Sequence, residues 1–161
     1  MLVYRLYKST YIAESLSAEG ARRAGGRWNP KGFPILYTSA TPELALLEVI
    51  AHLNPSFIPL FHLLVLDIPD EHRYVALADL PPDWQDETQD ESMQVYLADW
   101  LKKPDRLTVS APSAIVDRSR NYLIHTAHPD FSERVQLVEN IPFRIDTRVI
   151  NAQPFISKLE A

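Results

Sequence analysis

The alternation of apolar and polar residues predicts strands along most of the chain. LVYRLY at residues 2–7 alternates in the manner of a half-buried strand, and ILYTS at residues 35–39 is short, β-branched and aromatic. LFHLLVLDI at residues 60–68 is so apolar that we expect it in the middle of a sheet. Further short strand candidates are residues 107–116, 121–125, 134–140 and 142–146.

A helix is predicted at residues 43–53, which read ELALLEVIAHL. Thr41 before it is a favourable N-cap residue, and Pro42 suits the first helical position. The apolar residues at helical spacing that predict its buried stripe are Leu46, Val49, Ile50 and Leu53.

A second helix is predicted at residues 93–103, which read MQVYLADWLKK. Residues 10–24 are compatible with a helix, and the acidic, proline-containing stretch at residues 69–90 predicts a surface loop. The residues that can share the buried face of the second helix are Val95, Leu97, Ala98 and Leu101.

The order of these elements predicts the fold class. Strands in runs, with two or three helices interposed and no regular alternation of strand and helix, are typical of an α+β fold with largely antiparallel sheets. A length of 161 residues suits one domain with a single core.

Composition narrows the class of protein further. With 46% hydrophobic and 23% charged residues, the chain has the make-up of an ordinary globular protein, and without cysteine it has neither disulfides nor a thiolate nucleophile. Its start lacks the features of a secretory signal and no apolar run is long enough to span a bilayer, so we expect a cytoplasmic protein. A net charge of −5 argues against a broad nucleic-acid-binding surface, although it allows a local basic pocket.

The segment GGRWNPKG at residues 25–32 holds three of the four glycines in the chain. Since glycine accepts positive φ and lets other groups come close, the cluster predicts a tight loop or a ligand cradle. Arg27 could grip a phosphate bidentately there, or it could stack on Trp28 or Tyr37 and pin a turn. The spacing matches neither the Walker A motif nor the dinucleotide-binding G-x-G-x-x-G motif.

Several other side chains each have two interpretations. Glu48, whose helical neighbours are leucine and alanine, either pairs with an arginine at the helix margin or faces a cleft, where a low dielectric would strengthen its charge. Tyr37 either offers its ring to a planar ligand or packs in the core. Ser113 either hydrogen-bonds a ligand or is a turn or strand-start residue. His125 and His128 form an H-x-x-H pair without a third ligand at evident spacing, so no metal site is expected.

The motifs GGRWNPKG, ILYTS, LALLEVIAH, APSAIV and NYLIHTAHPDF stand in the order typical of one family. The chain resembles the RES-domain toxins of bacterial toxin-antitoxin pairs, from about Tyr4 to Ile145. The resemblance implies an ADP-ribosyltransferase-like fold, with largely antiparallel sheets around a central cleft and flanking helices. It also implies a single RES domain over residues 1–161, with a core at about 4–145 and a C-terminal extension at about 147–161.

The resemblance further implies a reaction on NAD. Members of the family cleave the nicotinamide N-glycosidic bond, and hydrolysis, phosphorolysis or transfer of ADP-ribose to a protein is the outcome. The residues that the motifs identify as catalytic are Arg27, Tyr37, Glu48 and Ser113, with Ser132 as the second candidate for the family serine. The residues implied to bind the substrate are Gly26, Trp28, Lys31 and Arg23, and the glycines would admit the diphosphate to the arginine.

Partners also follow from the resemblance. It implies an Xre-like helix-turn-helix antitoxin that covers the NAD cleft, with operator DNA bound only indirectly through the antitoxin. It further implies a toxin dimer within a hetero-oligomer, no membrane association, and no metal or cofactor besides NAD as the substrate. The alternative is a non-catalytic module that binds NAD or the partner without turnover.

Overall fold

The computed structural model describes residues 1–54 and 56–150, and these residues form one mixed sheet with short helices around it. The strands are β1 (Leu2–Lys8), β2 (Ile35–Ser39), β3 (Phe61–Asp67), β4 (Arg73–Tyr74), β5 (Thr108–Pro112), β6 (Arg120–His125) and β7 (Gln136–Phe143). The α-helices are α1 (Glu19–Ala24), α2 (Pro42–Ala51), α3 (Asp90–Tyr96), α4 (Ala98–Lys102), α5 (Phe131–Arg134) and α6 (Thr147–Ile150). Short 3-10 helices occupy Ser9–Glu14, Leu77–Asp79 and Glu87–Gln89.

The sheet has the strand order β4-β5-β6-β2-β1-β3-β7 within the described part of the chain. Neighbouring strands are antiparallel, except that β4 and β5 are parallel. The α+β class with largely antiparallel pairing is therefore confirmed, while the ADP-ribosyltransferase-like detail stays a prediction. The predicted plural sheets are wrong for the residues described, because their strands join into one seven-stranded sheet.

The junction between β1 and β2 is the weak point of this sheet. β1 pairs with β3 along its whole length, from Leu2 opposite Asp67 to Lys8 opposite Phe61. With β2, by contrast, the pairing given for the described residues is Tyr4 opposite Ser39 alone. No further residue pair joins the two strands in the described ranges, and residues of both strands line the candidate site.

The core lies on the faces of the sheet, in three clusters of buried apolar side chains among the described residues. The largest contains Trp28, Trp84 and Trp100 and packs the glycine segment and α4 against β5 and β6. Trp100 also donates its indole N–H to the Arg106 carbonyl, so its polar end is satisfied although the ring is buried.

Most predicted elements are confirmed, and α2 shows why. Thr41 accepts a hydrogen bond from the backbone N–H of Leu44 at 3.2 Å, and Pro42 occupies the first turn, as the sequence predicts. The buried positions, however, are Leu44 and Ala45. The residues of the predicted stripe are only half-buried, because they pack against a small cluster at the sheet's β3–β7 end.

Other predictions need correction. The helix predicted at 93–103 is broken at Leu97, whose φ of −105° and ψ of 13° are not helical, and Val95 is 73% exposed. The two strands predicted at 134–140 and 142–146 form one strand, β7. β3 has neighbours on both sides but lies next to the edge strand rather than in the middle.

The remaining predictions concern the less regular segments. Residues 10–24 contain a 3-10 helix and α1, and the predicted loop at 69–90 includes the two-residue strand β4. Of the predicted extension at 147–161, the segment 151–161 lies outside the described residues. Within the described ranges, no helix has the length and apolar character needed to cross a membrane.

Candidate functional site

A cleft of about 680 Å³ opens where β1 and β2 separate. The two strands contribute Tyr4, Arg5, Leu6, Tyr37, Thr38 and Ser39 to its lining. The rest of the lining comes from α1, the glycine segment, α2, the loop around residues 85–87, the turn after β5 and Asn121. Three of the four predicted catalytic side chains, Arg27, Tyr37 and Glu48, line this one cavity although they come from three different elements.

Glu48 lies on the cleft side of α2, and its carboxylate is held at one oxygen. Oε1 accepts hydrogen bonds from Ser113 Oγ at 2.8 Å and from Asn121 Nδ2 at 2.5 Å. Oε2 has no hydrogen-bond partner, and Glu48 has no ion pair, among the residues that the structure describes. The margin interpretation, in which Glu48 pairs with an arginine, is therefore not observed in this part of the chain.

Ser113 is buried, with 0% of its surface exposed, and its hydroxyl has three partners. It accepts from the backbone N–H groups of Ile115 and Val116 at 3.1 and 3.2 Å, which uses both of its lone pairs. Its proton is thus directed to Glu48. Ser113 both shapes the turn after β5 and supports the carboxylate, whereas Ser132 is exposed on α5 and does not line the cleft.

Tyr37 faces the cleft, and its hydroxyl is anchored in the glycine segment. It donates to Asn29 Oδ1 at 2.6 Å and accepts from the Trp28 backbone N–H at 3.2 Å. A Cβ atom added to Gly26 would be 2.7 Å from the Tyr37 hydroxyl oxygen. Gly26 is therefore needed because the tyrosine ring occupies the space of a side chain, which sequence reasoning missed.

Asn29 keeps this arrangement in place from inside the protein. Its side chain is fully buried, and Nδ2 donates to the carbonyls of Ala21, Pro30 and Phe33 at 3.0 to 3.2 Å. With its donors committed to backbone groups, Oδ1 is left to accept from Tyr37. The asparagine of the motif thus holds the hydroxyl end of the Tyr37 side chain in place.

Arg27 lines the cleft and ties the glycine segment to the loop before α3. Its Nη1 donates to the carbonyls of Trp84 and Asp86 at 2.8 and 3.1 Å, and its Nη2 donates to the carbonyl of Gln85 at 3.3 Å. The pinning role considered for Arg27 is therefore present, but its partner is a loop distant in sequence. Gln85 continues the connection by donating to the Ala114 carbonyl at 2.8 Å.

Arg5 on β1 is a cleft residue that the sequence analysis did not identify. Its Nη1 donates to the Tyr37 carbonyl at 3.2 Å, its guanidinium lies 4.7 Å from the Tyr7 ring centre, and its Nε has no partner among the described residues. Burial lowers the pKa of Arg5 to about 10. The only signal in the sequence is an arginine between tyrosine and leucine in a strand that is otherwise largely apolar.

The other predicted substrate-binding residues are placed differently from one another. Gly26 and Trp28 line the cleft, and Trp28 is buried against Trp84 with ring centres 6.2 Å apart. Arg23 is exposed and bonded to Glu19 on α1, and Lys31 is exposed. Neither cation is part of the cleft lining.

The histidine pair has separate partners. His125 is buried, its Nε2 lies 3.0 Å from the Leu101 carbonyl, and burial lowers its pKa. His128 Nδ1 accepts from the Asp130 backbone N–H at 3.1 Å. Across residues 1–54 and 56–150 no group of three potential ligands stands close enough to hold a metal ion.

The described residues thus form an α+β domain whose largely antiparallel sheet has a cleft with a hydrogen-bonded carboxylate and an anchored tyrosine. The RES domain family model matches residues 2–146, and the chain belongs to the RES domain family.

Relatives with assigned names cover most of the chain. It is 31% identical over 155 residues to the protein named Toxin Res of Photorhabdus laumondii, covering 95% of this chain and 99% of that protein. It is 32% identical over 146 residues to Toxin Res of Pseudomonas putida, with 88% and 97% covered. A Sphingobium protein named Prs ADP-ribosylating toxin is 36% identical over 126 residues, with 75% and 78% covered. These similarities support a toxin function.

Proposed function

We propose that this protein is a toxin that consumes NAD by cleaving its nicotinamide N-glycosidic bond. The observation that carries the proposal is the Glu48 carboxylate, which lies in the cleft with Oε1 held by two donors. The Sphingobium relative, whose name describes ADP-ribosylation, adds support, because ADP-ribosylation also breaks this bond.

The chemistry of the bond explains why a carboxylate is sufficient. Nicotinamide in NAD is a pyridinium, so it leaves as a neutral molecule and needs no general acid. The ribose carbon becomes cationic as the bond stretches, and an anion fixed beside it in a site of low dielectric lowers the energy of that state. One preorganised electrostatic group of this kind contributes about 3 kcal/mol, or roughly a hundredfold in rate.

The proposed substrate contacts follow from the lining of the cleft. Arg5 and Arg27 both line it and are the cations proposed to bind the diphosphate. This role suits Arg5, because Arg5 has no carboxylate partner among the described residues. The Tyr37 ring, whose hydroxyl is held by Asn29, is proposed to orient nicotinamide or the adjoining ribose. Lys31 and Arg23 lie outside the lining and are left out of this proposal.

The group that accepts ADP-ribose defines a second candidate function. Transfer to a protein side chain is favoured by the similarity to the Sphingobium toxin, whereas hydrolysis or phosphorolysis would deplete NAD directly. A helix-turn-helix antitoxin of the Xre type is proposed to cover the cleft and to contact operator DNA itself. That arrangement suits a chain with a net charge of −5, which has no need to bind DNA directly.

Replacement of the carboxylate tests the proposed reaction. Glu48→Gln keeps the size of the side chain and removes the negative charge, so nicotinamide release should fall by about a hundredfold or more while the melting temperature changes little. Release is measured by chromatography of NAD incubated with purified protein, with and without phosphate. The matched control is Glu43→Gln, since Glu43 is an exposed carboxylate on the same helix.

The outcomes separate the alternatives. Unchanged release by Glu48→Gln removes Glu48 from the mechanism. NAD binding by the wild type without any release identifies a non-catalytic module. Intact-mass analysis of treated cell extract then distinguishes transfer from hydrolysis, because only transfer adds the mass of ADP-ribose to a protein.

A further inference from the structure

Asn121 on β6 joins the Glu48 carboxylate to a second buried polar group. Its Nδ2 donates to Glu48 Oε1 at 2.5 Å, and its Oδ1 accepts from the Ser39 hydroxyl at 2.8 Å. Ser39 stands directly opposite Asn121 in the β2–β6 ladder, so the backbone register itself brings the two side chains together. Both residues line the cleft.

The hydrogen-bond capacities of these groups fix their roles. An ionised carboxylate is only an acceptor, so it requires the amino end of the Asn121 amide to face it. The carbonyl end then faces Ser39, whose hydroxyl can supply the matching donor. Ser113 completes the arrangement, because its two lone pairs are used by backbone N–H groups and only its proton is left for Glu48.

We infer that Asn121 is a positioning residue, which holds Oε1 of Glu48 so that Oε2 is presented to the substrate. Ser39 acts one step further back by holding the Asn121 amide. The inference rests on the proposed function and deepens it, because it says how the carboxylate is oriented before the substrate arrives. A glutamate without these donors would sample several rotamers, and ordering it in the transition state would cost rate.

Asn121→Asp is the sharpest test, since it conserves shape while replacing the donor by a second carboxylate. We expect kcat for nicotinamide release to fall by about 10- to 100-fold, with KM changed by less than about threefold, because a charge-assisted hydrogen bond is lost at the reacting group rather than at a binding contact. Two carboxylates at this distance cannot both ionise easily, so the acid limb of the pH–rate profile should move to higher pH.

The other titratable groups of the cleft are the same in the variant and the wild type, so the difference between their profiles reports the altered pair. Those groups are Tyr4, Arg5, Arg27, Tyr37, His52 and Glu87. Asn140→Asp is the matched control, because Asn140 lies on the exposed strand β7 next to His62, away from the cleft lining. It should leave kcat and the pH profile unchanged.

A double-mutant cycle covers the case in which Asn121→Asp fails to fold. Ser39→Ala should lower kcat by about 2- to 10-fold in the wild type and by almost nothing in the Asn121→Leu background, because Ser39 acts through Asn121. Additive losses, or an Asn121→Asp variant with the kcat and pH profile of the wild type, would overturn the inference. If the wild type itself releases no nicotinamide, the proposed function fails first and the inference falls with it.

Discussion

Gly26 and Gly20 have very different surroundings although both lie near the cleft. A Cβ atom on Gly26 would be 2.7 Å from the Tyr37 hydroxyl oxygen and 3.1 Å from its ring, whereas nothing lies within 4 Å of one on Gly20. The space left by the missing side chain at Gly26 is therefore used by a neighbouring aromatic ring. At this position glycine serves packing between a loop and a strand, and through it the orientation of a cleft residue.

Gly26→Ala should accordingly displace the Tyr37 ring. We expect the free energy of unfolding to fall by about 1–3 kcal/mol, as for other cases of overpacking, and nicotinamide release to fall with it. Urea denaturation and the release assay measure the two effects. Gly20→Ala is the control and should raise stability by about 0.5–1 kcal/mol, because Gly20 lies within α1. Equal stability of Gly26→Ala and the wild type would contradict this account of the close contact.

The site residues that the sequence reveals are those inside recognisable motifs. Arg27, Tyr37 and Glu48 stand in short segments of typical order and are brought to one cavity. Arg5 lies outside those motifs, whereas Asn121 stands within NYLIHTAHPDF, but nothing in that motif indicates that its side chain meets Glu48, which is 73 positions away. Composition and periodicity carry no information about such pairs, which depend on strand order and register.

At the scale of elements, Arg27 holds the loop before α3 by hydrogen bonds to three consecutive carbonyls, those of residues 84–86. A guanidinium has donors in a fixed planar fork, and a lysine ammonium cannot reproduce that geometry. The loop carries Gln85 and Glu87 into the cleft lining. The Arg27 side chain thus positions the part of the cleft lining that this loop supplies.

Arg27→Lys should therefore loosen this loop while keeping the charge. Because several charge-assisted hydrogen bonds are lost, we expect amide exchange at residues 85–88 to speed up by at least about tenfold, while the strands keep their protection. Hydrogen-exchange mass spectrometry measures this. Arg23→Lys, an exposed position on α1, should leave exchange in the loop unchanged. Faster exchange throughout the sheet would show instead that Arg27 supports global stability.

Elements whose own residues show periodicity or capping are predicted correctly, whereas elements that depend on their neighbours in the fold are not. β1, β2, β3 and α2 have clear periodicity or capping residues. The sequence predicts two strands on either side of Ile141, but β7 continues through Pro142 as one strand at the edge of the sheet, where a proline is tolerated because the open side needs no donor. The break at Leu97 has neither proline nor glycine beside it, so the sequence has no local signal for it.

At the scale of the whole molecule, His125 links stability to pH. It is 4% exposed, its Nδ1 has no partner among the described residues, and burial holds its pKa below the usual value. The unfolded chain takes up a proton on this side chain below about pH 6.5, while the folded chain resists it. The contribution of His125 to the free energy of unfolding should thus be constant above about pH 6.5 and decrease as the pH falls below that value.

Urea denaturation between pH 7.5 and 5 tests this, with an expected loss from His125 of at most about 1.4 kcal/mol per pH unit. His125→Gln, although less stable overall, should lose that part of the slope. His52→Gln, an exposed position, should keep the slope of the wild type. Identical slopes for His125→Gln and the wild type would exclude His125 as the source.

The order of strands and helices is sufficient to predict the fold class, and the family resemblance implies a cleft, but the place of the cleft between β1 and β2 is not predicted. It arises because β1 follows β3 over seven residue pairs and, within the described chain, meets β2 at one. This difference depends on the register of whole strands, and a short motif in the sequence does not indicate that register.

The junction between β1 and β2, with its one residue pair, can act as a hinge between the two halves of the sheet. The junction of β1 with β2 has one residue pair, fewer than any other junction between neighbouring strands in the described sheet. Each half keeps its own ladder intact during such a movement. If the protein acts on NAD as proposed, a wider gap at this junction would admit the dinucleotide while every strand stays folded.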